Sequence, residues 1–178
     1  AVMEPLAASD PGNTQWQRDL SVNQERIGVI LRDTRDFDGA LTAFRANLEA
    51  SEKFAAADPS NMEWQRDVSV SLEKVADVLR SKKDFKGALR LFQRSLAISD
   101  RLAASDPSNM DWRRDLAISC SEVGDVLSRL DDFDGADEAL NRSLEIRLEL
   151  AASDPDNAEW QRDLIVSYLW LADAGSEP

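Results

Sequence analysis

From Met62 onward the apolar positions fall at Trp64, Val68, Leu72, Val75, Val78 and Leu79, three or four residues apart, and no Gly or Pro interrupts them before about Lys82. That spacing puts one apolar stripe along an α-helix. Asn61 closes the turn "DPSN" (58–61) and is well suited to cap the helix start. "KKDFKG" then breaks the period, and Asp84 is placed to cap a second helix with its stripe at Phe85, Ala88, Leu89, Phe92, Leu96 and Leu102. This helix should end at Asp106-Pro107, because a proline drives the residue before it out of helical geometry. Linkers of about four to six residues make the two helices antiparallel neighbours.

The same grammar recurs along the chain. "NTQWQRDL", "NMEWQRDV", "NMDWRRDL" and "NAEWQRDL" place Trp16, Trp64, Trp112 and Trp160 at intervals of 48 residues. One copy covers 10–57, the next 58–105 and the third 106–153; a fourth begins at Asp154 and reaches Pro178 as a first helix. "LAASDP" from Leu6 repeats "LAASDP" from Leu102, so residues 1–9 read as the end of a preceding copy. Self-similarity at a fixed period of this size marks a repeat architecture. The expectation is an all-α fold, an α-solenoid of antiparallel helix hairpins with about three and a half repeats.

The inner part of each copy resembles the tetratricopeptide repeat (TPR), whose pattern runs large residue, Leu-Gly, Tyr, then Ala, Phe and Ala on the second helix. The second copy offers Leu72, Val75, Ala76, Leu79, Ala88, Phe92 and Ser95 at matching spacing; the first offers Ile27, Gly28, Leu31, Ala40, Phe44 and Asn47; the third offers Cys120, Val123, Gly124, Leu127, Ala136, Leu140 and Ser143. The departure is length. Against a repeat of about 34 residues, the 14 extra ones (48 − 34) lengthen the first helix at its start and the second at its end, which share one end of the hairpin. About two turns are added to each helix, and whole turns preserve which face points inward. The resemblance implies a right-handed superhelix whose first helices line a concave groove. Long-period repeats carrying "LAASDP…WQRDL" also look like those of bacterial multidomain proteins, where the array recruits partners for a separate effector domain.

Composition narrows the function by exclusion. Of 178 residues, 21 are Lys or Arg and 34 are Asp or Glu, a net charge of −13. That opposes nucleic acid and anionic membrane, which need a basic surface. It is compatible with a basic peptide or protein. There is no His and only one Cys, Cys120, so Ser-His and Cys-His catalytic pairs, a His-ligated metal and an internal disulfide are all ruled out. Cys120 takes an inner packing position, equivalent to Leu72. Asp131, Asp132, Asp134, Asp137 and Glu138 cluster without the spacing of a calcium loop and read as a solvated acidic turn. No cofactor and no enzyme activity are expected. No apolar run approaches the ~20 residues of a membrane span, and no charged-then-apolar leader opens the sequence, so the expected location is the cytoplasm.

What remains is surface. Carrying the TPR concave face over by register gives Val22, Glu25, Val29 and Arg32, then Val70, Glu73, Asp77 and Arg80, then Ile118, Ser121, Asp125 and Arg129. The family's carboxylate clamp, built from Lys and Asn, is absent at these positions, and the Asp77-Asp125-Asp173 row would favour a basic ligand. The function expected is non-catalytic protein–protein interaction on this face. The alternative is a structural, self-associating segment, because the fourth copy's "LIVSYLWLADAG" is far more apolar than its equivalents. Tyr168, Leu169, Trp170 and Asp173 would then form a homodimer surface. The periodic Trp16, Trp64, Trp112 and Trp160 read as structural joints, with Trp64 packing near Ala55-Ala56 or Ala103-Ala104 and Arg66 and Asp67 tying neighbouring repeats together. Gly39, Gly87 and Gly135, each in the first turn of a second helix, read as points of close helix approach.

Overall fold

In a computed structural model of the protein the backbone is described for residues 14–174 and side chains for 15–169; the end of a preceding repeat expected at 1–9 lies outside the described residues. Among the described residues there are only helices: α1 (Thr14–Asp33), α2 (Phe37–Ala57), α3 (Met62–Ser81), α4 (Phe85–Ser105), α5 (Met110–Ser128), α6 (Phe133–Ser153) and α7 (Ala158–Ala174). The bounds of α3 and α4 fall within a residue or so of those the apolar period sets. None of these helices is long and apolar enough to cross a membrane.

Two kinds of turn join them, and each repeats with its residues. Inside a hairpin, the chain reverses through one residue with left-handed backbone: Arg35 (φ 63°), Lys83 (φ 64°) and Asp131 (φ 62°). In the α1–α2 turn Arg35 N–H donates to Arg32 C=O (2.9 Å) and Asp36 N–H to Leu31 C=O (2.8 Å); the pattern returns at Lys83/Asp84 and at Asp131/Asp132. These paired bonds satisfy carbonyls at the helix end. The next residue then serves as N-cap: Asp36, Asp84 and Asp132 accept from the N–H of Gly39, Gly87 and Gly135 at 3.0, 2.9 and 3.1 Å. A Cβ on these glycines would meet the capping carboxylate, at 2.6 Å for Gly39, 2.2 Å for Gly87 and 3.0 Å for Gly135. Their recurrence therefore protects a cap, and at Gly39 the expected close helix approach is present as well, since a Cβ would meet Leu31 of α1 at 3.1 Å. Left-handed backbone costs a residue with a Cβ energy that glycine does not incur. Lys83→Gly is accordingly expected to raise stability by about 0.5–1 kcal/mol, measurable as an upward shift of the urea midpoint.

Between hairpins, Asp58 caps the end of α2 and folds back in an Asx turn, its Oδ1 accepting from Ser60 N–H (3.1 Å) and Ser60 Oγ (2.6 Å). Asp106 does the same with Ser108, and those bonds hold its carboxyl below the usual range. Asn61, Asn109 and Asn157 then cap the next helix by accepting from the N–H of Trp64, Trp112 and Trp160 at 3.1, 3.1 and 3.2 Å. In these three copies the first and fourth residues of "NxxW" are thus one capping unit.

The chain forms two compact units, up to Leu91 and from Phe92. In the first, α2 packs against both α1 and α3. Ala40, Phe44, Val75 and Val78 make its buried centre, with Val29, Leu31, Leu79 and Leu91 around them. Gly28 is where α1 and α2 come closest: a Cβ there would sit 2.5 Å from the Phe44 ring. In the second, α6 packs against α5 and α7. Ala103, Leu116 and Cys120 are buried with Leu96 and Ile146 against them, and Gly124 faces Leu140 as Gly28 faces Phe44. The close approaches fall at the glycines of the TPR-like Leu-Gly positions.

A buried polar seam crosses these contacts. Asn47 Nδ2 donates to Ser21 C=O (3.0 Å) and Ser21 Oγ (2.8 Å), and Asn47 Oδ1 accepts from Ser71 Oγ (2.7 Å). Ser51 joins Ser71 at 3.1 Å. In the second unit Ser99 and Ser119 pair at 3.1 Å, and Ser143 Oγ donates to Ala117 C=O at 2.7 Å. At the α6–α7 contact Arg147 takes the place of Ser51 and Ser99, donating to Ser167 Oγ (2.5 Å) and Asp163 C=O (3.3 Å). Burial lowers the Arg147 pKa, opposed by the nearby Asp163. Its Nε is buried with no partner among the described residues.

Candidate functional site

Several residues of the repeated "WQRD" stretch make contacts within the fold. Trp64 is half-buried and its ring meets that of Phe54 on α2, with centroids 5.8 Å apart and planes at 41°. This contact is with the preceding helix, on Phe54, the residue before Ala55-Ala56. Gln65 Nε2 donates to Ala55 C=O (3.4 Å) and Gln161 Nε2 to Ala151 C=O (3.0 Å), satisfying carbonyls near the end of the preceding helix. Arg114 Nε donates to Asp163 at 2.7 Å and its guanidinium reaches Glu159 at 2.9 Å, so the Arg of one repeat holds the Asp of the next. That tie, expected from the spacing, raises the Arg114 pKa.

Beside Trp64 lies a groove of about 600 Å³ between α1 and α2, with Leu20, Ala46, Ala50, Phe54 and Ala57 in its lining. Small or polar residues stand in its copy where later copies have larger apolar ones. Ile146 and Cys120 pack together in the second unit; their equivalents are Ala50 and Gln24.

A second, smaller cleft of about 130 Å³ opens between α1 and α3. It is lined by Arg18, Ser21, Val22, Glu25, Asn47, Ser51, Phe54, Asp67, Val70 and Ser71. Three residues expected on a concave face, Val22, Glu25 and Val70, meet here. Val22 and Val70 are 45% and 36% exposed, unusually open for valines flanking a polar floor. That floor is the Asn47 seam, which sequence reasoning assigned to plain packing. Burial pushes the Asp67 carboxyl up, Arg18 and Arg66 pull it down, and Glu63 and Glu25 add to the rise.

The charges of the predicted face are largely paired within the protein. Glu25 is bound by Lys74 of the next repeat. Asp77 holds Arg80 at 2.6 Å and Asp125 holds Arg129 at 3.0 Å, each one turn along its own helix. Arg32 reaches Asp33 at 3.1 Å. Val29 packs against the first core, and Glu73 and Ile118 are half-buried. Ser121 does not belong to an open face. It is buried in the α5–α6 seam, bonded to Ser143 Oγ (2.7 Å) and Ala117 C=O (3.2 Å), because a hydroxyl at that position meets the facing helix. On α7, Tyr168 and Leu169 are exposed, while the side chains of Trp170 and Asp173 lie outside the described residues.

Among the described residues no group of three or more acidic or thiol side chains could hold a metal ion. Cys120 is fully buried, and burial pushes its thiol up to about 11. Only roughly a thousandth of such a thiol ionises at pH 8, against roughly a quarter at the ordinary cysteine pKa. Cys120 should resist a thiol reagent such as DTNB in the folded protein and react fully in denaturant.

No family model and no curated protein matches the chain. Solved structures do. The N-terminal domain of stress-induced protein-1 (STI-1) from C. elegans aligns with a TM-score of 0.51 at 15% identity, covering 85% of this chain and 97% of that one. Two structures of MamA align with TM-scores of 0.44 and 0.36, both at 15% identity, covering 96% and 88% of this chain and 75% and 90% of theirs. Only the first is close enough to speak to fold, and at 15% identity it speaks to fold alone: all-helical and TPR-like.

Proposed function

We propose that this chain of TPR-like fold is a non-catalytic protein-interaction scaffold that holds a peptide or a segment of a partner protein in the cleft between α1 and α3. The observation that carries the reading is the meeting of Val22, Val70 and Glu25 over the Asn47–Ser21–Ser71 floor. Exposed aliphatic walls beside fixed polar groups offer a partner both apolar contact and hydrogen bonds. The lack of His, the single buried Cys and the acidic balance all point the same way. A basic partner fits the overall charge of −13. Because Glu25 already holds Lys74, such a partner exchanges an ion pair rather than filling a bare carboxylate, so charge sets orientation and encounter rate more than affinity.

Peptides selected from a displayed random library against the purified chain supply the test. Val22→Arg with Val70→Arg is expected to weaken the selected peptides at least about tenfold, the loss that follows when a small buried apolar contact is removed, with the helical circular dichroism unchanged. Selected peptides that bind the double variant as well as the parent would sink the reading.

A further inference from the structure

Resting on the reading of the α1–α3 cleft as the partner site, we infer that this cleft receives one arginine side chain of the partner, with its guanidinium between Ser71 and Asp67.

The protein holds a filled version of the same place. Two repeat intervals along the chain, Arg147 is the equivalent of Ser51, Ser167 of Ser71, Asp163 of Asp67 and Arg114 of Arg18. All four of the earlier residues line the cleft. At the α6–α7 contact Arg147 is buried, 8% exposed, and donates to Ser167 Oγ at 2.5 Å and to Asp163 C=O at 3.3 Å. At the earlier contact the side chain stops short. Ser51 Oγ reaches Ser71 Oγ at 3.1 Å and Asn47 C=O at 3.2 Å, and a cleft of about 130 Å³ stands open beside them. That is room for a side chain rather than for a drug-sized ligand or a helix. The guanidinium that Arg147 supplies from within is the group missing from the first unit, and the open mouth lets a partner supply it from outside.

Arg18 in the lining does not bar a second cation. At the later contact Arg114 Nε binds the Asp163 carboxylate at 2.7 Å while Arg147 takes the Asp163 carbonyl, so one aspartate already serves two guanidinium groups. The first unit is also better furnished for positive charge. Glu25 and Ser21 stand in the cleft where the later copy has Ser121 and Ala117, which gains a carboxylate and adds a hydroxyl. A guanidinium suits this setting better than an ammonium, because its planar donors serve a hydroxyl and a carbonyl together and it is more weakly hydrated. Val22 and Val70, both exposed, cover the methylene stem.

The peptides selected on the whole chain read this out. Those that lose affinity on Val22→Arg with Val70→Arg are expected to carry an arginine. Replacing it by citrulline, which keeps the shape and removes the charge, should weaken binding at least about tenfold, and replacing it by lysine about fivefold. Ser51→Arg should seat the protein's own guanidinium in the cleft, as Arg147 does, and weaken the same peptides at least about tenfold with unchanged helicity. Cleft-dependent peptides that lack arginine, or that bind equally well with citrulline, would overturn the arginine assignment and leave the cleft as the partner site. Peptides indifferent to the two Val substitutions would overturn both. A folded Ser51→Arg chain that binds as the parent does also overturns the assignment. Should that variant unfold, the citrulline comparison, which leaves the protein untouched, still decides.

Discussion

Phe44→Ala is expected to remove about 3–5 kcal/mol of stability. The Phe44 side chain is wholly buried at the centre of the first unit, between Ala40 of its own helix and Val75 and Val78 of α3. Its ring lies on the face of Gly28, where even a Cβ would come within 2.5 Å. A glycine cannot grow to fill the space the ring leaves, and capped turns join α2 to both flanking helices. The cavity therefore stays open, which is the condition under which large-to-small changes cost most. Urea unfolding followed by circular dichroism checks it. The loss should appear as a fall in the urea midpoint.

Asn47→Leu has the second largest expected effect, about 3 kcal/mol or more. Leucine keeps nearly the shape of asparagine, so little packing is lost. The side chain's three hydrogen bonds vanish, however, and the Ser21 carbonyl and the hydroxyls of Ser21 and Ser71 lose a partner inside the protein. A buried group stripped of its partner costs about 1–3 kcal/mol, more than the bond itself contributes. Asn47→Ser should be milder, because the later copies carry Ser95 and Ser143 at this position. A Leu variant as stable as the parent would show that the seam is incidental. The same urea transition measures both variants.

The hairpins were legible because their signals are local. Asn61 and Asp84 cap where the sequence places them, and the three-and-four spacing of Leu72, Val75 and Val78 puts those residues in the core. The polar seam was not. Asn47, Ser95 and Ser143 occupy positions where the TPR pattern asks only for a small residue, and nothing local says that a hydroxyl or amide there meets Ser21, Ser119 or Ser121. A signal did exist: Ser71, Ser119 and Ser167 recur at the repeat interval, as do Ser51 and Ser99, and a polar residue recurring on an otherwise apolar stripe has a partner to meet. The glycines of "DFxGA" were legible only in part, since the nearest neighbour that forbids a Cβ is the capping aspartate three residues back. Pairing across repeats, such as Glu25 with Lys74, is invisible to a reading of one copy at a time. Of the four tryptophans that dominate the sequence, Trp64 meets the Phe54 ring of the preceding helix. The α1–α3 cleft was only half visible: Val22, Glu25 and Val70 were found, while Arg18, Phe54 and Asp67 were not assigned to it.

Amide hydrogen exchange on the chain, with and without a selected peptide at saturation, tests the central claim most directly. Protection is expected along α1 and α3, centred on the turns that carry Val22, Glu25 and Val70, with the exposed outer face of α6 unchanged. Protection confined to α6 or α7, with α1 and α3 exchanging as in the free protein, would contradict it.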